Sequence, residues 1–365
     1  MRARPTIKDI AAEVGVSHTT VSYILSGNTT QKISPATRKA VLDAAKRLQY
    51  VPNSAARSLR NNSTHCVSVA MEKALTNTRF SGLLQGIRES LQAEGYWIML
   101  FDFSTSSPPY PDFLESVLQR RTDGIIYISS DGYPPEEHCR QMIIDNTLPF
   151  VACDCCPEEP ELVSVSFDYE RGAFEVACRL FGEGARRILY WRPDVQSLQE
   201  GYREQGLRRA AELYQGVEFS VSLLPSNTCV CTSDRHSDLN RICSQHLAQE
   251  ILPRIADFQP GDAVVCCWSV MVNHLNAALS GKGRGLKIAT LSDAEPPVVT
   301  DTQILTSRSN FVRGGKECTA LLLRQLRGES CSSVVLPPDI PSYIRPCFKN
   351  CRVLHHFNKM AIAPM

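Results

Sequence analysis

His18, Thr19, Ser22 and Tyr23 are hydrogen-bonding side chains set among Val21, Ile24 and Leu25 in the stretch "SHTTVSYILSG". A helix that buries the three apolar residues leaves the four polar ones on its outer face. Donors and acceptors of this kind, carried near the start of a short helix, suit the reading of base edges in the major groove of DNA. They do not suit bond-making chemistry: the chain shows no P-loop, no G-x-G-x-x-G, no H-E-x-x-H and no G-x-S-x-G, so no catalytic residue and no enzyme activity is expected.

The elements that must hold this face are readable on both sides of it. Thr6 with Asp9 three residues on is a helix-start signal, and Ile7, Ile10, Ala11 and Val14 follow at the spacing of one apolar face. Gly15 ends that helix, Val16 packs, and Ser17 caps the second helix, which stops at Gly27. A third helix opens at Ser34-Pro35, with Val41, Leu42, Ala45 and Leu48 expected inside. Residues 1–60 carry ten Lys and Arg against three acids, so +7, whereas the rest of the chain sums to −6 and the whole to +1. Three-helix modules also dock proteins, and charge runs are often merely solvated, but a +7 head points to a polyanion. Behind it, Pro52 and Asn53 open a helix of about eight residues, too short to be stable alone in water.

From His65 onward, short apolar strands alternate with helical stretches: "CVSVAM", "YWIMLFDF", "GIIYIS" and "FVAC" in one series, then "VSVSF", "RRILYW", "FSVSLL", "AVVCCW" and "LKIATL" in a second. This α/β pattern predicts two doubly wound lobes in sequence, each on a parallel sheet, with a ligand cleft at the carboxyl ends of the strands. No apolar run is long enough to span a bilayer and no signal peptide is recognisable, so a cytoplasmic protein is expected. All fifteen cysteines lie at or after Cys66, many in apolar runs, and are expected reduced and mostly buried rather than metal-binding or redox-sensing. His355 and His356, near the chain end, are not expected to hold a metal. No metal and no cofactor is implied.

"TIKDIAAEVGVSHTTVSYILSG" and "ISPATRKAVLDAAKRLQYVPNSAARSLR" resemble the head of LacI/GalR-type transcriptional regulators, and the resemblance continues through "GARRILYW" and "EGYREQGLRRAAE". It implies a helix-turn-helix domain (1–51), a hinge helix and linker (52–62), a two-lobed periplasmic-binding-protein-like effector and dimerisation domain (63–346) and a tail (347–365). It also implies a homodimeric repressor on a near-palindromic operator in double-stranded DNA, controlled by a small-molecule effector between the lobes. His18, Thr19 and Tyr23 fall at base-reading positions. Thr6, Ser17, Thr20, Ser22 and Asn28 fall where the family meets phosphates or buttresses the helix. Asn53, Ala56 and Leu59 lie on the hinge, with Leu59 matching a leucine that wedges a base step open. Tyr23 departs from the usual arginine, which binds guanine bidentately.

The implied effector positions are Arg79, Phe80, Leu198, Trp268, Ser269, Ser292 and Asp293. Leu198 stands for the expected arginine, Trp268 for asparagine, and Ser269 and Ser292 for aspartates. With those polar grips gone, the expected ligand is a glycoside or another partly apolar molecule rather than a simple sugar. A solute-binding protein would share this body but not the basic head; a partner protein as effector is the other alternative. The tail lacks leucine heptads, so a dimer and not a tetramer is expected, with no membrane partner.

Overall fold

A computed structural model describes residues 5–27, 31–51, 63–71, 78–102, 111–129, 134–155, 160–195, 197–225, 236–280, 285–292, 303–339 and 341–344. The chain divides into two compact units, Met1–His65 and Cys66–Met365.

The head is α1 (Ile7–Val14), α2 (His18–Leu25) and α3 (Pro35–Arg47). Each starts on a side-chain cap. The Thr6 N–H and hydroxyl both donate to the Asp9 carboxylate, at 2.7 and 2.8 Å. Ser17 and Ser34 accept the backbone N–H of Thr20 and Thr37, each at 3.0 Å. Gly15 turns the chain in the left-handed conformation, φ 72°, which costs a glycine little. Ile10, Ala11, Val21, Ile24, Val41, Ala44 and Ala45 form the miniature core. Leu42 is not in it: it is 48% exposed. With Val41 inside, helical spacing carries the buried face to Ala44 and Ala45 and turns Leu42 aside.

The body opens with β1 (Cys66–Met71), α4 (Thr78–Ala93), β2 (Trp97–Asp102), α5 (Asp112–Leu118), β3 (Gly124–Ile128), α6 (Glu137–Asp145), β4 (Phe150–Cys153) and β5 (Val163–Phe167). There follow α7 (Tyr169–Gly182), β6 (Arg187–Pro193), α8 (Leu198–Leu213), β7 (Glu218–Leu224), α9 (His236–His246), β8 (Ala263–Cys266), α10 (Ser269–Leu279) and β9 (Lys287–Thr290). The chain closes with β10 (Ile304–Thr306), α11 (Phe311–Leu326), β11 (Val334–Leu336) and β12 (Ser342–Ile344). The two six-stranded sheets run β11-β5-β4-β3-β1-β2 and β12-β10-β9-β8-β6-β7.

The lobes are therefore not consecutive in the chain, as the strand pattern had suggested. "VSVSF" is β5 and pairs in parallel with β4 of the first sheet, not with the second. The chain passes to the second lobe with α7, returns after β10 with α11 and β11, and ends on β12, the antiparallel neighbour of β10. The chain therefore crosses between the two sheets three times. The single helix expected over residues 237–256 is interrupted. After α9 the turn widens to a π-helix at Leu247–Ile251 before a short turn at Leu252–Arg254, where Pro253 has no N–H to give the regular ladder.

Val67, Val69, Phe80, Leu83, Ile126, Val151, Val165 and Leu322 fill one face of the first sheet, and Phe113, Tyr127, Ile143 and Phe150 fill the other. Leu189, Trp191, Val264, Met271, Ile288 and Leu305 lie in the second lobe's core. The ten described cysteines are all free thiols, seven of them buried. Burial pushes the Cys139 thiol up to about 11 and that of Cys243 to about 12, so neither is a thiolate near neutrality.

Candidate functional site

In the head, α2 exposes His18 and Thr19 to solvent, with Thr20, Ser22 and Tyr23 half-buried behind them. Ser17 and Thr20 are tied to each other: the Ser17 hydroxyl takes the Thr20 N–H and lies 2.9 Å from the Thr20 hydroxyl. Thr6 is likewise held on Asp9. These three residues fix where the helices start, and His18 and Thr19 are the exposed polar residues in the first turn of α2. Arg47 of α3 reaches back to Glu13 of α1, its Nε donating at 3.1 Å, which braces the third helix against the first. Asn28 and the hinge residues Asn53, Ala56 and Leu59 lie outside the described residues.

In the body, six of the seven residues expected around an effector are described, and they differ widely in exposure. Arg79 and Phe80 open α4. Arg79 is half-buried, but Phe80 is 1% exposed and belongs to the first lobe's core, because the helical turn that brings Arg79 to the surface sends the next residue inward. Leu198 begins α8 and is 56% exposed. Trp268 and Ser269, half-buried, cap and begin α10 at the carboxyl end of β8, and Ser292 follows β9, its N–H on the Thr290 hydroxyl at 3.1 Å. Asp293 lies outside the described residues.

The polar network where the lobes meet is built on Arg79, one of the expected residues, together with Asp154, Tyr169 and Gln199, which no sequence motif marks. Asp154, immediately after β4, holds a left-handed backbone with φ 59°, a conformation uncommon for non-glycine residues that Asp adopts more readily than most. Its carboxylate pairs with Arg79 and accepts the Tyr169 hydroxyl at 3.0 and 2.9 Å. From the second lobe, the Gln199 amide donates to Asp154 Oδ1 at 3.0 Å and to its carbonyl at 3.3 Å, while Gln199 Oε1 accepts from Arg79 Nη1 at 3.3 Å. A second Arg79 nitrogen donates to the Ser129 carbonyl at 3.3 Å. Burial, then the Asp154 charge, pushes the Tyr169 hydroxyl well above the usual tyrosine range, so it stays a donor at physiological pH.

One turn along α8, Glu200 and Arg203 form a buried ion pair. Glu200 accepts the Tyr190 hydroxyl at 2.9 Å and the Cys267 thiol at 2.9 Å. Burial works against the Arg203 charge, but the Glu200 carboxylate outweighs it and holds the guanidinium protonated, 4.6 Å over the Tyr169 ring. The first two turns of α8 thus join lobe to lobe: Gln199 meets Arg79 and Asp154, and Arg203 meets Tyr169. Neighbouring "CDCC" cysteines masked Asp154 in the sequence, and the only signal for it was an acid directly after a buried strand.

The comparisons with known proteins agree with this architecture. The profile described as "Bacterial regulatory proteins, lacI family" matches residues 6–53, and "Periplasmic binding proteins and sugar binding domain of LacI family" matches residues 65–311. An HTH-type transcriptional repressor PurR of Mannheimia succiniciproducens is 27% identical over 284 residues, covering 76% of this chain and 78% of that one. Catabolite control protein A of Priestia megaterium is 31% identical over 206 residues, 56% of this chain and 60% of its own length. Among solved structures, the lac repressor dimer bound to operator and the anti-inducer ONPF superposes with a TM-score of 0.70 at 18% identity, covering 93% of this chain and 98% of that one. A CelR–cellobiose complex gives 0.58 at 22% identity, covering 93% and 99%. With both profiles matched in order along most of its length, the chain belongs to the lacI family of bacterial regulatory proteins.

Proposed function

We propose that the protein is a dimeric, sequence-specific transcriptional repressor that binds a near-palindromic operator through α2, its affinity set by a small molecule bound between the two lobes of the body. The observation that carries the reading is the capped α1–turn–α2 pair: Ser17, Thr20 and Gly15 are spent on fixing the turn, and His18 and Thr19 are left exposed where a recognition helix meets base edges. Tyr23 completes the reading face, Ser22 meets phosphate or buttresses the helix, and the basic residues of the head supply further phosphate contacts. Residues 1–51 form the DNA-binding domain, 52–62 the hinge on which Leu59 wedges the operator, 63–346 the effector and dimer domain, and 347–365 a tail. The protein works where the DNA is, in the cytoplasm.

A palindrome read by one helix per chain needs two copies, and the body offers a face for the second. Strand β2 ends the first sheet with Trp97 78% exposed and Met99 and Leu100 also outward, while β7 ends the second sheet with Leu223 outward. Pairing of two copies along these edges buries that apolar area. Selection of bound sequences from a randomised duplex pool tests the proposal: enrichment of an inverted repeat is expected, and enrichment of no motif refutes it.

A further inference from the structure

The carboxamide of Gln199 occupies the cleft much as a bound molecule would. The orientation of its amide follows from charge, since the Asp154 carboxylate only accepts and the Arg79 guanidinium only donates: nitrogen must face Asp154 and oxygen Arg79. Arg79 and Asp154 are ion-paired side by side, and the Tyr169 hydroxyl holds the carboxylate in place at 3.0 and 2.9 Å. They therefore present a fixed donor, partly buried, next to a fixed and fully buried acceptor, which is the complement of a C=O and N–H on one edge of a planar amide. Beside them, the buried Ser129 hydroxyl has no hydrogen-bond partner among the described residues.

Resting on the reading of this cleft as the effector site, we propose that the effector carries a cyclic amide edge, a lactam or imide, that displaces the Gln199 carboxamide, its C=O on Arg79 and its N–H on Asp154. Gln199 is then an internal competitor. It is also one of the side chains that tie α8 to the first lobe, so a ligand that evicts it changes how the lobes are joined, and the free energy of that change reaches the operator by linkage.

The test uses the full-length protein with three probes, 2-pyrrolidone, its N–H-free isostere γ-butyrolactone, and glucose, titrated by ligand-observed NMR. The wild type and the Gln199→Ala and Gln199→Leu variants are compared, with operator binding followed in parallel. The lactam is expected to bind and the lactone not, and removal of the internal carboxamide is expected to tighten the lactam about tenfold in both variants by freeing the competent state. Equal binding of lactone and lactam, an unchanged lactam affinity in the variants, or no lactam binding in any of them overturns the proposal. If the variants bind glucose and ignore the lactam, the amide edge is wrong while the effector cleft stands. If no probe binds and operator affinity is the same in all three proteins, the cleft reading falls with it.

Discussion

At the residue scale, Tyr23 is the side chain whose change is most informative. It is half-buried on α2, and Ser26 donates its hydroxyl to the Tyr23 carbonyl at 3.1 Å, so the backbone there is held independently of the ring. Tyr23→Arg is expected to leave the helix intact and to shift one half-site position toward guanine by about 1–3 kcal/mol, the worth of a bidentate contact. Selection from a randomised operator pool reads this directly, and an unaltered profile removes Tyr23 from the base-reading set. Residues of this face were legible in the sequence because caps and helical spacing are local. Gln199 was not: its partners Asp154 and Arg79 stand 45 and 120 positions away. No window of sequence contains that contact.

At the scale of elements, α4 and α11 touch backbone to backbone. A methyl at Gly315 would stand 2.1 Å from the Leu83 carbonyl oxygen, which no rotamer change relieves. Gly315→Ala is expected to destabilise the body by at least about 1–3 kcal/mol, the usual cost of overpacking, measured by chemical denaturation. In the second lobe, Asp262 ties the start of β6 to the loop before β8. Its carboxylate accepts the N–H groups of Arg186, Arg187 and Gln259 at 3.0, 2.9 and 2.8 Å. Burial alone would raise its pKa, but these N–H donors prevail and lower it. Because the folded value lies below the unfolded one, the stabilisation is complete above the usual carboxylate range and is lost as pH falls through the depressed value. Thermal melts between pH 7 and pH 3 should show this loss, and Asp262→Asn, less stable at pH 7, should show a shallower one. Strand positions were legible from apolar runs, but not which sheet "VSVSF" joins, since a buried strand reads the same in either. The returns through β10 and β11, three residues each, are too short to carry any period.

At the scale of the whole molecule, the +7 head and the −6 remainder divide the labour between polyanion binding and everything else. A dimer that contacts about eight phosphates releases their counterions on binding, and its operator affinity should fall about 10⁴-fold between roughly 50 and 200 mM salt. The slope against log salt counts the phosphates met, so it also counts the heads engaged. Trp97→Glu places a charge on the exposed edge strand β2, 78% exposed in the single chain, and should cost the dimer without touching a buried core. A chain that meets the operator alone reaches one half-site and about four phosphates, so its slope should be about half that of the wild type. Sedimentation of the free protein and fluorescence anisotropy on the operator, across a salt series, test both halves together. A monomeric variant with an undiminished slope would separate DNA binding from dimerisation. A variant that stays dimeric would move the subunit interface away from β2.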